Sequence, residues 1–180
     1  MTRLARGYLA EGPYHVTTRS AGPAPIYVDD IECTYFCNLV ARTIQRWNWD
    51  CLSFCVMPTH HHLLLDTPAE SLKVGMQYLN WSYARWFNQR HGRWGHVFGD
   101  RYACKPVLTD GHMLSTMRYI ARNPVRAGLC ELPEDWTWSS YRGLVGMDDT
   151  FPFVEHEPIR AYFGPSDDDV LVQIRQMVSG

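Results

Sequence analysis

Residues 14–19 (YHVTTR) are rich in β-prone side chains and read as a strand, which the Gly/Pro loop 20–25 ends. From Asp29 or Asp30, either of which suits an N-cap, the apolar positions take the period of a helix. It reaches about Trp47, with Ile31, Tyr35, Leu39 and Ile44 near one face. Two short apolar runs follow, 51–57 (CLSFCVM) and 60–67 (HHHLLLDT), parted by Pro58-Thr59, and both read as strands. A second helix is predicted from Glu70 or Ser71 to His91, ahead of Gly92. A Gly/Arg/Trp segment leads to a strand near 102–108, and Thr109 or Asp110 caps a third helix that Pro124 must end. Residues 133–146 are turn-rich with a short helix. The remainder holds one or two helices, the last opening at Ser166-Asp167-Asp168-Asp169, where acidic side chains suit a helix N-terminus.

The order is therefore βαββαβα. The stretch from Met57 to His60 leaves no room for the crossover helix a parallel sheet requires. The pattern predicts an α+β fold: a ferredoxin-like split βαβ antiparallel sheet with helices on one face, plus a helical acidic C-terminal tail. With 180 residues the chain suits one domain, 1–146, and a tail, 147–180, packed on or beside it.

Composition narrows the function classes. With 46% hydrophobic and 20% charged residues, disordered, collagen-like and coiled-coil chains are excluded. No apolar run approaches the roughly 18 residues of a membrane span. Residues 1–6 (MTRLAR) carry no apolar core of a secretory signal, so a cytoplasmic location is expected. The six cysteines include no CxxC pair and read as reduced, buried thiols rather than disulfides or a zinc site. The net charge of −2 hides an asymmetry: residues 1–68 carry −1, 69–131 carry +5 and 132–180 carry −6. A basic middle beside an acidic tail points to a local polyanion-binding face. The tail could occupy that face as a polyanion mimic, dock as a structural cap or have no role, and its apolar positions (among them Ile159, Phe163, Val170, Ile174 and Val178) favour docking.

The sharpest chemical feature is His60-His61-His62 ahead of three leucines. On a strand His60 and His62 share a face, about 7 Å apart at the backbone, while His61 points the other way. Two imidazoles at that spacing can converge on a divalent cation, which then needs a third protein ligand and open positions. On the third helix Tyr119 and Asn123 lie four apart and share a side, and Asn123 before Pro124 suits either a helix C-cap or a metal ligand. Arg118, Arg122 and Arg126 form a stripe beside them that suits phosphate oxygens. Periodicity alone does not choose among Tyr119, Tyr78, Tyr83 and Tyr102. Arg85, Arg90, Arg93, Arg101 and Lys105 are interleaved with Trp86, Phe87, Trp94, Phe98 and Tyr102, the make-up of a single-strand-binding surface, with Trp86 and Phe87 expected in the core.

The segments MPTHHHLLL (57–65), WFNQRHGRWGHVFGDRY (86–102), RYIARNPVRAG (118–128) and DWTWSSYRGLVG (135–146) resemble, in order, the single-tyrosine HUH transposases, most closely the branch called REP-associated tyrosine transposases. The resemblance implies metal ligation by His60, His62 and Asn123 and a nucleophilic role for Tyr119. It also implies Mg²⁺ or Mn²⁺ as cofactor and single-stranded DNA with a short hairpin as partner. The expected activity is DNA cleavage and rejoining through a 5′-phosphotyrosine, by a monomer or homodimer. The chain departs from the family at His61, where a bulky apolar residue is usual, and at Thr59, where Asn is common. Two other readings stay open at this stage: a DNA- or RNA-binding module without chemistry, and a metal-dependent hydrolase without a tyrosine nucleophile.

Overall fold

The computed structural model describes residues 10–68, 70–165 and 167–180. The first nine residues, read above for a leader, and Ser166, expected to open the last helix, lie outside the described residues. Four strands, β1 (Gly12–Arg19), β2 (Asp50–Met57), β3 (His60–Thr67) and β4 (Ala103–Pro106), form one antiparallel sheet in the order β2-β3-β1-β4. Helix α1 (Asp30–Trp47) joins β1 to β2, and α2 (Ser71–Arg90) joins β3 to β4, which is the expected split βαβ arrangement. Asp29 caps α1 by accepting from the Glu32 N–H, and Asn48 closes it in the left-handed conformation that asparagine tolerates. Helix α3 (Asp110–Ala121) follows β4, capped by the Thr109 hydroxyl.

The helices do not all lie on one face, which corrects that part of the expectation. Tyr14, Val16, Phe54, Val56, Leu63 and Leu65 pack under α1 and α2. Leu52, Cys55, Met57 and Leu64 pack under Met113, Met117 and Ile120 of α3. The three leucines after the histidines thus serve both cores, because successive strand residues face opposite ways. Among the described residues no disulfide forms. Cys33, Cys37, Cys51 and Cys55 are buried, and burial pushes the Cys33 and Cys51 thiols up to about 12.

The β2 edge is covered rather than open. Val56 N–H donates to Trp138 O, Ser140 N–H to Phe54 O and Glu155 N–H to Cys51 O, so the segments after α3 continue the ladder irregularly. Helix α5 (Tyr141–Leu144) lies in this region, followed by α6 (Glu157–Arg160) and α7 (Asp167–Ser179). Ile159, Val170, Ile174 and Val178 are buried against the α3 side of the core. Arg160 donates to the Gly143 and Leu144 carbonyls.

One glycine is fixed by close approach: a Cβ at Gly75 on α2 would be driven into the Trp49 ring, whose indole N–H donates to Ser71 Oγ at 2.8 Å. Gly75→Ala is therefore expected to lower stability by about 1–3 kcal/mol, as overpacking does. Urea unfolding checks this, and an unchanged midpoint would show that the Trp49 ring can move aside.

Candidate active site

The strand register builds the site on the α3 face. His62 is paired with Thr17 of β1 and Cys55 of β2, His60 with Arg19 and Met57, and His15 with Leu64 of β3 and Lys105 of β4. These side chains share one face. Helix α3 covers the β2 and β3 half of it, so the β1 and β4 half stays open as a cleft of about 530 Å³ lined by His15, Thr17, Arg19, Lys105, His112 and Tyr119, among others.

His62 lies at the centre. Its Nδ1 is 2.9 Å from Thr17 Oγ1 and 3.0 Å from His15 Nε2, and its Nε2 is 3.1 Å from Asn123 Nδ2. Burial, reinforced by the neighbouring His15, holds its pKa down to about 2, so the ring is neutral and carries one proton. Thr17 Oγ1 and His15 Nε2 can each donate or accept at Nδ1, and Nε2 faces the Asn123 amide. That is the arrangement of a metal-binding imidazole whose other nitrogen is held by a polar neighbour. The His60 ring centroid is 5.0 Å from that of His62, the planes nearly perpendicular, and Thr59 Oγ1 lies 3.2 Å from His60 Nδ1. Burial and then the Arg19 charge lower the His60 pKa, while a hydrogen bond from Asn123 opposes them. Among the described residues no cluster of three His, Cys, Asp or Glu is placed to hold a metal ion. The Asn123 amide lies beside the histidine pair, and two imidazoles with an amide oxygen make a mixed nitrogen/oxygen set that suits a divalent first-row cation.

Local structure explains why Asn123 can reach. Pro124 has no N–H to continue α3, so the helix ends at Ala121, and a further turn, α4 (Asn123–Arg126), follows without reversing direction. Asn123 stays on the side of Tyr119. The Tyr119 ring stands edge-on to His62, centroids 5.4 Å apart, and to His15 at 5.8 Å, and it is 37% exposed at the cleft.

The predicted cations separate into groups. Lys105 lines the cleft, and the Arg126 guanidinium lies 5.6 Å above the Tyr119 ring. Arg85 sits over Trp81 and Arg93 over Phe87, both on the α2 side, and Arg101 is exposed in the segment before β4. Arg90 is bound to Asp29 through two bonds and to the buried Glu32, so its fork is occupied far from the cleft. Arg122 donates to the Val178 and Ser179 carbonyls at the end of α7, and the Nε of Arg118 is buried. The Arg118, Arg122, Arg126 stripe is thus split, because one of its members anchors the C-terminal helix. Phe87 is buried, as expected for a core residue, whereas Trp86 is only partly buried, stacked on Tyr35 against the core, and Tyr102 is buried as well.

Residues 11–123 match the sequence profile of the family described as "Transposase IS200 like". The chain belongs to the IS200-like transposase family. The family expected from the motifs is the family found, and as a transposase the protein is an enzyme of DNA cleavage and strand transfer. It is 22% identical over 152 residues to a Haemophilus influenzae protein named "Putative REP-associated tyrosine transposase", covering 78% of this chain and 86% of that one. Its fold matches a solved REP-associated tyrosine transposase, bound in that structure to a REP hairpin, with a TM-score of 0.68 and 16% identity over 81% of this chain and 86% of the other. Among the described residues no helix is long and apolar enough to cross a membrane.

His15 and Thr17 were not singled out from the transposase sequence. The signal was present in YHVTTR, whose alternation places both opposite Tyr14 and Val16, but it becomes informative only once β1 is known to pair with β3. The departure from the family at His61 is also resolved. His61 points into the α1/α2 core, where its Nδ1 lies 2.7 Å from Tyr27 Oη and its ring packs on Phe36. Burial lowers its pKa to about 3. The native state therefore holds His61 neutral, whereas the unfolded chain takes up a proton below about pH 6.5. Stability from this site is complete above about pH 6.5 and is lost as pH falls toward 3, by up to about 1.4 kcal/mol per pH unit. In EDTA, His61→Leu is expected to flatten the fall in urea midpoint between pH 6.5 and pH 4.5. An unaltered slope would show that the fall comes from other groups.

Proposed function

We propose that this transposase cleaves and rejoins single-stranded DNA beside a short hairpin by transesterification through a 5′-phosphotyrosine, with Tyr119 as nucleophile. A divalent cation, Mg²⁺ or Mn²⁺, would be held by His60, His62 and Asn123. The observation that carries the reading is the meeting of Tyr119, Asn123 and the histidine pair at the rim of a basic cleft on one face of the sheet. The solved relative bound to a REP hairpin supports the hairpin as substrate. A cation held by these residues would supply Lewis-acid polarisation of the scissile phosphate. Thr17 and His15 hold the Nδ1 side of the His62 ring, which leaves Nε2 on the Asn123 side. Lys105 and Arg19 in the cleft attract the phosphate backbone, and Arg126 over the Tyr119 ring favours negative charge on the phenol.

The Tyr119 oxygen forms a bond to phosphorus as the bond to O3′ breaks. The phenol proton passes to solvent and O3′ leaves as a hydroxyl. In the reverse step a 3′-hydroxyl attacks the phosphotyrosine and Tyr119 is released. One phosphodiester is exchanged for another at each step, so no nucleoside triphosphate is consumed.

The test is a denaturing gel of the protein with labelled hairpin DNA from the flanks of its own gene, run with Mn²⁺, with EDTA and with Tyr119→Phe. A covalent band that needs both the metal and Tyr119 is expected. Cleavage without the band would favour a hydrolase, and binding with neither would favour a module without chemistry.

A further inference from the structure

A second pocket, outside the cleft, lies where α2 meets the segment before β4. Its volume is about 380 Å³, and its lining includes Asn80, Trp81, Arg85, Asn88, His96 and Phe98. Trp81 is 59% exposed, high for an indole on an amphipathic helix, and the Arg85 guanidinium lies 5.5 Å from its ring. Asn88 Nδ2 donates to Gly95 O at 2.9 Å, which ties the pocket's loop wall to the helix. Asn80 Nδ2 lies 3.3 Å from Thr18 Oγ1, and its buried Oδ1 has no partner. The Thr18 hydroxyl can donate or accept, so either orientation of the amide leaves one of its polar atoms unused.

The pocket is joined to the cleft through the end of β1. Phe98 bridges to Ser20, Gly99 N–H donates to Arg19 O, and Arg19 is the register partner of His60. Beyond Thr17 the β1 edge is paired not by β4, which begins at Ala103, but by residues 97–99, with Ala21 N–H donating to Val97 O. Val97 and Phe98 of that segment line the pocket and Arg19 lines the cleft, so the two share this stretch of β1 as a boundary.

We infer that this pocket holds one unstacked nucleobase of the single-stranded DNA next to the hairpin, stacked on Trp81 with Arg85 near its flanking phosphate. The inference rests on the proposed function and extends it by naming where a base outside the scissile step is gripped. The chemistry matches a base better than a peptide or a small anion. An exposed indole supplies a stacking platform, a guanidinium supplies charge beside it, and amide and imidazole groups can meet a base edge.

The test uses hairpin DNA from the gene's own flanks with a single-stranded extension in which each nucleotide in turn is made abasic. Affinities are measured by fluorescence anisotropy in EDTA for the wild type, Trp81→Ala and Trp81→Phe. One abasic position is expected to weaken wild-type binding by about tenfold, the scale of one stacked base. Trp81→Ala should lose a similar factor on intact DNA and be indifferent to that position. Trp81→Phe should recover most of the affinity, which separates stacking from a folding defect. The inference is overturned if no abasic position matters to the wild type, or if Trp81→Ala keeps the wild-type pattern. The covalent band, read on the same DNAs with Mn²⁺, tells the two failures apart: coupling without a band removes the tyrosine mechanism and keeps the pocket, whereas a band without coupling removes the pocket alone.

Discussion

Tyr119→Phe is expected to reduce formation of the covalent protein–DNA species by at least about a thousandfold, because the substitution removes the attacking atom itself. It should do little else. Each ring contact that places Tyr119, edge-on to His62 and His15 and beneath Arg126, is available to phenylalanine. The side chain stands at the cleft surface, so no buried polar group is stranded, and stability should stay within about 0.5 kcal/mol of wild type. Hairpin affinity in EDTA should be nearly unchanged, since Lys105 in the cleft and Arg126 over the ring are untouched. The experiment pairs a denaturing gel with anisotropy on the same DNA. A band of wild-type intensity from the phenylalanine variant would remove Tyr119 as nucleophile, and another exposed hydroxyl on the cleft, such as Ser115, would become the first replacement to test.

How much of this was legible beforehand depended on sequence distance. The strand carrying His60 and His62, and the helix carrying Tyr119 with the turn after it carrying Asn123, are local patterns: period two before the leucines, and spacing four before a proline. Side chains on such elements take their directions from the backbone, so the pairings within each element followed from the sequence. The face on which α3 lies did not follow, because Met113, Met117 and Ile120 would suit an apolar layer on either side of the sheet. Nor did the company His62 keeps. Thr17 and His15 lie 45 and 47 residues away, and they arrive beside it through the β1–β3 register. Charge counts were the least informative. Arg90 and Arg122 look like phosphate ligands in a list of basic residues, yet one is bound to Asp29 and Glu32 and the other closes the end of α7. A guanidinium's partner is a property of the fold, and the basic count of the middle segment overstated the cations facing the cleft.

The second large effect is expected at His62. Its imidazole contacts Asn123 through Nε2, Thr17 and His15 through Nδ1, and the His60 and Tyr119 rings edge-on. His62→Ala should weaken Mn²⁺ binding by more than about a hundredfold, since altering only the partners of a ligating imidazole already costs about ten- to a hundredfold. Covalent band formation should fall at least as far. The fold should also lose about 1–3 kcal/mol, because the Asn123 amide, Thr17 hydroxyl and His15 ring are left without the partner that satisfied them in a mostly buried setting. Calorimetric titration with Mn²⁺ and urea unfolding in EDTA read the two effects separately. Thr17→Val is the informative companion: it keeps Nε2 and both strand positions but removes the oxygen that holds Nδ1. An intermediate loss of Mn²⁺ affinity, with the band restored by excess metal, would show that Thr17 acts by orienting His62. If instead His62→Ala bound Mn²⁺ as tightly as the wild type, the metal would have to sit elsewhere, and the His60, His62 and Asn123 assignment would fall while the Tyr119 result stood on its own.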